Sequence, residues 1–454
     1  VNDVAIDGPH PRSLGRPVGL LRDPLERRIV SLAVPALGTL AVEPIYLLVD
    51  TAIVGRVGTP QLAGVAIASI VLLNVVSLLS FLEYITPTIA FDRGAGMVDS
   101  ARRRAGDGLS LTVTIGLPAA VLLAIGARPL CWLLGGRGDV LDHATTYLTI
   151  SAAGLPFVLL AFLGHGVLRG YNDLRTPLKI AAVANVVNLV VELVFVFGLD
   201  LGVAGSAWST VIAQAGAGLA FVAAIRPHLR LGRLTWSAVR PLVVSGVHIG
   251  LRSVAMYTVW NATTVIAAHL DAPTLAANQI ANQLFFFMAL LLDALAVPLH
   301  SLVAEELGAG RGDEAGRVGR VSTRLSVWCG AGLAVLIAAA APVLPGAFTA
   351  DEAVHTRLVG ALLVLAVMQI PGAIAFALDG ALIGANDMPW LGRQAVRNII
   401  AFVPLAVATV IWPRLGLAGL WGAQLCWMTT RALVNGLRWR KLSSGWVTRV
   451  AQVE

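Results

Sequence analysis

Apolar residues run through this chain in long blocks, separated by short segments rich in charge, glycine or proline. About 20 apolar residues suffice for a helix to cross the hydrocarbon core of a bilayer, and a spanning segment must satisfy its backbone polar groups internally. Twelve such segments can be marked, near 28–54, 61–91, 106–126, 142–168, 177–199, 203–225, 241–268, 274–304, 321–344, 354–382, 390–412 and 416–437. The links at Gly58, Leu199 and Leu415 are very short, so the helices they join are antiparallel neighbours. The pattern predicts an all-α membrane protein with twelve transmembrane helices.

The blocks also repeat. LRGYND from Leu168 returns as LIGAND from Leu382, LGVAG from Leu201 as LGLAG from Leu415, and Gly94-Ala95-Gly96 as Gly308-Ala309-Gly310, always at the same offset. Three weak matches at one offset are far stronger than any of them alone. Each half holds six spans, so the halves have parallel topology and form two six-helix lobes related by a pseudo-two-fold axis along the membrane normal. The expected divisions are an N-terminal tail (1–27), a first lobe (28–228), a basic linker (229–240), a second lobe (241–438) and a C-terminal tail (439–454).

Composition agrees with this picture. The chain is 57% hydrophobic and 13% charged, with a mean hydropathy of +0.79, whereas soluble domains carry about 25% charged residues. A net charge of +7 would suit a nucleic-acid binder, but the distribution argues otherwise. Twenty-six Lys and Arg fall in alternate loops and at the ends, against five on the other side: Arg56, Arg128, Arg137, Arg357 and Arg414. The positive-inside rule then makes both termini cytoplasmic, in a multi-pass protein of the bacterial cytoplasmic membrane with no nucleic-acid partner. The first residues lack an apolar signal core and read as a tail, not a cleaved signal.

Several function classes drop out. Cys131, Cys329 and Cys426 show no metal or CxxC spacing. There is no GxxxxGK[ST] loop for a nucleotide, and no nucleophile stands at a recognisable spacing from a base. Neither an ATP-driven pump nor an enzyme is expected, nor any bound cofactor or metal.

What remains is polar chemistry inside the spans. The first carries Glu43 and Asp50 and is interrupted by Pro35 and Pro44. A carboxylate costs a few kcal/mol at membrane depth, so one found there usually faces a cavity and handles ions or substrate. At about 1.5 Å rise per residue, Asp50, Asn188, Glu192 and Thr210 all lie in the outer half of the membrane. Tyr46 and Asp50 are i,i+4, as are Asn188 and Glu192, so each pair faces one way from its helix. The offset of the repeat places Phe402, Ala406 and Gln424 at the equivalents of Asn188, Glu192 and Thr210, with Thr263 and Thr264 near that of Asp50. The scaffold is duplicated; the acids are not. This asymmetry favours a coupling-ion site over a hydrogen-bonded packing cluster. Two close carboxylates in a low dielectric cannot both ionise cheaply, so the pair can take up and release a proton. The same oxygens would suit Na⁺, and the residues alone leave H⁺ and Na⁺ both open.

Other polar groups are read more modestly. Arg252 and Asp293 lie at matched depth and are expected to form an ion pair. Glu83 and Asp379 are read as helix-end or gate contacts. Glu43 is an even choice between cavity and packing. Trp260, Asn261 and the Phe285-Phe286-Phe287-Met288 run either line a cavity for flat cations or pack. His165, His248, His269 and His300 are scattered without ligand spacing.

The stretches YLLVDTAIVGRVGTPQLAG, LRGYNDLRTPL, NLVVELVFVFGLDLGVAGSAWSTVIAQ and LGAGRGDE resemble the multidrug and toxic compound extrusion (MATE) transporters, in the branch of the DNA-damage-inducible protein F, and the similarity runs from Arg28 to Arg438. The resemblance implies a secondary antiporter that exports organic cations, drugs or other amphipathic compounds against a proton or, less readily here, a sodium gradient. It maps the family's first-helix aspartate and tyrosine to Asp50 and Tyr46, its fifth-helix pair to Asn188 and Glu192, its sixth-helix threonine to Thr210, and its bending proline to Pro35. The sodium-coupled branch has acids in the seventh and tenth helices; here the tenth-helix position is Gly372, and the seventh span has Arg252 but no acid. The implied cycle has cargo entering from the cytoplasm while Asp50 and Glu192 are deprotonated. Ion binding at Asp50 then rebends the first helix at Pro35 and Pro44 and displaces the cargo. The protein is expected to work as a monomer. The alternative within the wider superfamily is a lipid-linked precursor flippase, which would need a cationic cluster in its central cavity.

Overall fold

The computed structural model describes residues 23–232 and 236–450, and it is helical with no strand among them. The N-lobe comprises α1 (Pro24–Gly55), α2 (Thr59–Gly94), α3 (Val98–Leu133), α4 (Gly138–Ala152 and Leu155–Gly170), α5 (Arg175–Gly198) and α6 (Gly202–His228). The C-lobe comprises α7 (Trp236–Leu270), α8 (Ala272–Gly308), α9 (Gly312–Ala340), α10 (Glu352–Gly384), α11 (Met388–Ile411) and α12 (Gly416–Val450). Nine of these pass as spans by length and hydropathy, and α4, bent by 50°, is a tenth. α1 with 32 residues and α12 with 35 complete the twelve. The last helix runs beyond the expected lobe boundary at 438, because Trp439 and Trp446 pack on Gly319 and Gly312 of α9.

Local sequence explains where the helices begin. Asp23 caps α1 through the Leu25 N–H at 2.9 Å, in a capping box with Glu26. Asp271 and Asp351 cap α8 and α10 by accepting from the Thr274 N–H at 2.7 Å and the Ala353 N–H at 2.8 Å. Residues at the helix ends keep the register of the repeat. The left-handed positions Gly96, Asn172 and Gly202 recur at Gly310, Asn386 and Gly416, with φ of 73, 60 and 52° against 74, 58 and 53°. The motif pair LRGYND and LIGAND thus marks the same helix stop twice, with Asn in the left-handed conformation that closes a helix C-terminus.

Each lobe has a core of its own toward the face opposite the basic loops. One cluster gathers Val54, Val65, Leu123, Tyr147 and Leu148 of the N-lobe; another gathers Trp260, Phe285, Leu362, Trp421 and Trp427 of the C-lobe. Clusters that mix the lobes lie toward the basic face. Ile29 packs among Leu299, Leu302 and Leu382, Leu242 joins Leu82 and Phe221, and Ala36 meets Leu174 and Val297. Glu305 of α8 accepts from Arg28 at 3.3 Å and Asn172 at 2.6 Å, Arg317 reaches Asp23 at 2.8 Å, and Arg324 pairs with Glu26. The molecule is therefore closed at its basic face.

Two glycines permit this closure. A Cβ at Gly94 would collide with the Glu305 carbonyl, and one at Gly308 with the Phe91 carbonyl. Gly94 and Gly308, like Phe91 and Glu305, are equivalent positions of the two halves, so the repeat meets itself across the pseudo-two-fold axis. We expect Gly94→Ala or Gly308→Ala to weaken this closed face by about 1–3 kcal/mol, as overpacking does. Spin labels at Arg102 and Arg311 should then report longer interlobe distances, whereas Gly216→Ala, open to empty space, should leave them unchanged.

Candidate functional site

Three N-lobe helices converge on a buried polar cluster. α1 brings Asp50, 5% exposed; α5 brings Asn188 and Glu192, 2% and 0%; α6 brings Ser206 and Ser209, both fully buried, with Thr210 beside them. The Ser206 hydroxyl donates to Asp50 Oδ1 at 3.0 Å. Asn188 Nδ2 reaches Ser209 and Thr210 at 3.4 Å each. Ser209 and Thr210 donate back to the Ser206 carbonyl at 2.7 and 3.1 Å, which fixes the polar face of α6. Just past Glu192, α5 widens into a π-turn over Val194–Gly198, a local departure that often accompanies functional positions.

Glu192 is the unusual member. Its carboxyl group lies against that of Asp50 and near the Ser206 hydroxyl, yet neither of its buried oxygens has a hydrogen-bond partner among the described residues. Buried polar groups are nearly always paired. Two adjacent carboxylates offer only acceptors to each other, and a protonated carboxyl is the form that can donate.

The C-lobe fills the equivalent place with neutral groups. Phe402 and Ala406 are buried in apolar packing, and Gln424 donates to Thr263 at 3.0 Å. Asn278 bridges Thr264 and Trp421 at 3.3 Å each.

Between the lobes lies a cavity of about 760 Å³, lined among others by Thr39, Leu40, Glu83, Tyr84, Phe162, Arg169 and Asn185 of the N-lobe and Arg252, Met256, Phe286, Phe287, Asp293, Phe376 and Asp379 of the C-lobe. A side pocket of about 250 Å³ shares Val42 and Asn185 with it and ends at Asn188.

A second charged cluster sits in the C-lobe wall. Asp379, 4% exposed, accepts from Arg252 at 2.5 Å, from Asn435 at 2.5 Å and from Arg431. Arg431 also lies over the Phe376 and Trp427 rings, at 5.3 and 5.8 Å.

The MatE family model matches residues 35–194 and 249–412, two segments that start at equivalent positions of the internal repeat. The chain belongs to the MatE family. This MATE chain is 29% identical to "Protein DETOXIFICATION 44, chloroplastic" of Arabidopsis thaliana, over 92% of its own length and 83% of the relative's. It is 26% identical to the DNA damage-inducible protein F of Escherichia coli, over 92% of each. The crystal structure of a MATE protein in the bent conformation superposes with a TM-score of 0.87 at 19% identity, covering 95% of this chain and 98% of that one, which shows the shared fold. The protein is a multi-pass membrane transporter of the MATE efflux family.

The sequence-based expectations for this MATE chain divide clearly. Asp50, Asn188, Glu192 and Thr210 are brought together; Ser206 and Ser209 were missed, although GSAWST places them at i and i+3 beside Thr210. The side chains of Glu43 and Tyr46 lie outside the described residues. α1 passes through Pro35 and Pro44 as one helix, and Pro44 borders the cavity.

Arg252 does not pair with Asp293. Its guanidinium is taken by Asp379, and Asp379 is not a helix-end contact but the centre of a buried cluster. Arg431 was passed over: it stands inside α12, and only the Asp379 partnership reveals its role. Glu83 pairs with Arg169 at 3.4 Å on the cavity wall. Trp260 packs in the C-lobe core against Phe285 at 4.3 Å, while Phe286 and Phe287 face the cavity. Asn261 is exposed and is not among the residues bordering the cavity.

Proposed function

We propose that this protein is an antiporter that exports amphipathic cations, drugs or related compounds, coupled to proton entry through Asp50 and Glu192. The observation that carries the reading is the carboxyl pair itself, buried in one lobe, with no donor to Glu192 among the described residues, and replaced in the other by neutral groups. Multidrug resistance and detoxification names among the relatives support export of xenobiotic compounds. With the basic face cytoplasmic by charge bias, closure at that face makes this the outward-facing state of an alternating-access cycle.

In that state a proton from outside settles between Asp50 and Glu192. Neutralising the pair removes the charge that holds Ser206 and the polar face of α6 in place, and α1 rebends at Pro35 and Pro44, whose missing N–H groups weaken the helix there. Cargo leaves as the N-lobe repacks. Return to the inward-facing state delivers the proton to the cytoplasm. Asp50, Glu192, Asn188, Ser209 and Thr210 also form an oxygen-rich set that could hold Na⁺, but without acids at the C-lobe equivalents the proton is the simpler coupling ion.

A flippase for lipid-linked precursors would need uncommitted cationic groups on the cavity wall. Arg169 and Arg252 are each held by an acid, which favours the antiporter.

The test is uptake of ethidium into inside-out vesicles carrying the purified protein, with pH and Na⁺ gradients imposed separately. Uptake driven by the pH gradient alone supports the reading; uptake that requires Na⁺, or none under either gradient, opposes it. A smaller effect follows from the Asp50 hydrogen bond. Ser206→Ala removes a bond to a charged group worth about 1.5–3 kcal/mol, and should slow pH-driven uptake roughly ten- to a hundredfold while ethidium binding is retained.

A further inference from the structure

The two halves close the basic face unequally. On one side α1 lies against α9, where Arg317 donates to Asp23 at 2.8 Å and to Glu314 at 3.3 Å, and Arg324 pairs with Glu26. On the other side the repeat brings α7 against α3. Arg103 is there the equivalent of Arg317, but Ser100 stands for Glu314, Ser237 for Asp23 and Arg240 for Glu26. Each acid of the first seam is thus replaced by serine or arginine in the second. Among the described residues, no carboxylate oxygen lies within 4.0 Å of the Arg103 guanidinium.

A cavity of about 210 Å³ occupies this second seam, bordered by Ser100, Arg103, Arg104 and Asp107 of α3, Ser245 of α7 and Asn386 of the turn before α11. Arg104 also pairs with Asp92 at 2.6 Å. Asp107 stands one turn along α3 from Arg103 and makes no ion pair within 4.0 Å among the described residues. Arg240, exposed, comes immediately before Pro241 of the cavity wall. Arg103, Arg104 and Arg240 against Asp92 and Asp107 leave one positive charge, and no Asp or Glu occurs between Asp200 and Asp271 to cancel it from the linker or α7. Asn386 repeats the asymmetry: its equivalent Asn172 donates to Glu305, and the position matching Glu305 is Phe91.

The space suits a phosphate group. Guanidiniums offer paired N–H groups to phosphate oxygens, and the serine hydroxyls and the Asn386 amide add neutral donors. A volume of about 210 Å³ is below the roughly 300–1,000 Å³ of drug-sized sites. The level of the cavity points to a lipid. About one turn beyond Arg240, α7 exposes Val244 and then Val247, and α3 exposes Val113 and Leu117 beyond its arginines. The cavity therefore lies where the basic rim gives way to the lipid-facing surface, and basic pockets between spans at that level take anionic headgroups.

We infer that the phosphate of an anionic phospholipid, from the leaflet on the basic side, binds at Arg103 between α3 and α7. It takes the place that Asp23 and Glu314 hold beside Arg317, ties α7 to α3, and favours the state closed at the basic face.

The test uses the full chain, spin-labelled at Met97 and Arg311, in phosphatidylcholine nanodiscs with phosphatidylglycerol added stepwise; interlobe distances give the closed fraction. Phosphatidylglycerol should raise that fraction to a plateau. Arg103→Gln should need at least about fivefold more of it for half the effect, and Asp107→Asn, which removes a competing carboxylate, should need less. Ser100→Glu returns an acid that the other seam has, and should keep the face closed with or without phosphatidylglycerol. Arg175→Gln, on the same face but outside the cavity, should respond like the unmodified chain. An unchanged response in Arg103→Gln, or an equal weakening by Arg175→Gln, overturns the site. Glycerol 3-phosphate should have no effect in phosphatidylcholine alone; a response matching that to phosphatidylglycerol overturns the lipid in favour of soluble phosphate. The measured quantity is a conformation, so the outcome is separate from the success or failure of the antiport reading.

Discussion

Asp50→Asn reduces pH-driven export to background in reconstituted vesicles, a loss of at least about a hundredfold, or about 2.7 kcal/mol. The substitution is nearly isosteric and keeps an oxygen that can accept from Ser206, so what it removes is the second carboxyl of the pair proposed to hold one exchangeable proton. Glu192→Gln gives the same loss for the same reason. The internal repeat supplies the control: Thr263→Ala and Gln424→Ala, at the equivalent place in the C-lobe, retain coupling because the hydrogen bond they break joins two neutral groups. Initial rates of ethidium uptake, measured with a fixed inward-to-outward pH difference, separate these outcomes.

Asp379→Ala has the largest effect on stability. It leaves Arg252 and Arg431 buried together without their shared acid, and removing one partner of a buried ion pair costs about 3–5 kcal/mol. The expected result is a chain that no longer elutes as a single species in mild detergent, or that melts well below the unmodified protein. Replacing all three groups by apolar ones, Asp379→Leu with Arg252→Met and Arg431→Met, should recover much of the loss, because it removes the desolvated charges along with their partner. If Asp379→Ala melts like the unmodified protein, the cluster contributes nothing to the C-lobe.

Much of the fold was legible because a bilayer leaves so few choices. Apolar length gave the helices, and the single offset that carries Leu168 to Leu382 and Leu201 to Leu415 gave two lobes, all without knowledge of packing. The N-lobe cluster could be read because Asp50, Asn188 and Glu192 are rare residue types at a shared depth. Ser206 and Ser209 could not be read with equal force: serine is common in membrane helices, and only the approach of α1 to α6 shows that one of them meets Asp50.

The C-lobe was read less well. Depth alone paired Arg252 with Asp293, but depth does not fix the azimuth of a side chain around its helix. Asp379 lies between Arg252 and Arg431 because α7, α10 and α12 converge there. That convergence is a property of packing and leaves no spacing in the sequence. The same limit applied to the state of the transporter. Gly94 and Gly308 announced a repeat, and only their carbonyl contacts across the axis disclosed which face is closed.

The central claim is that Asp50 and Glu192 jointly hold a proton that cargo exchanges for. Its most direct test is proton release on addition of tetraphenylphosphonium to the purified protein in weakly buffered detergent, followed with a pH indicator. The unmodified chain should release about one proton per cation bound, and Asp50→Asn and Glu192→Gln should bind the cation and release none. Equal release from Asp50→Asn would contradict the account.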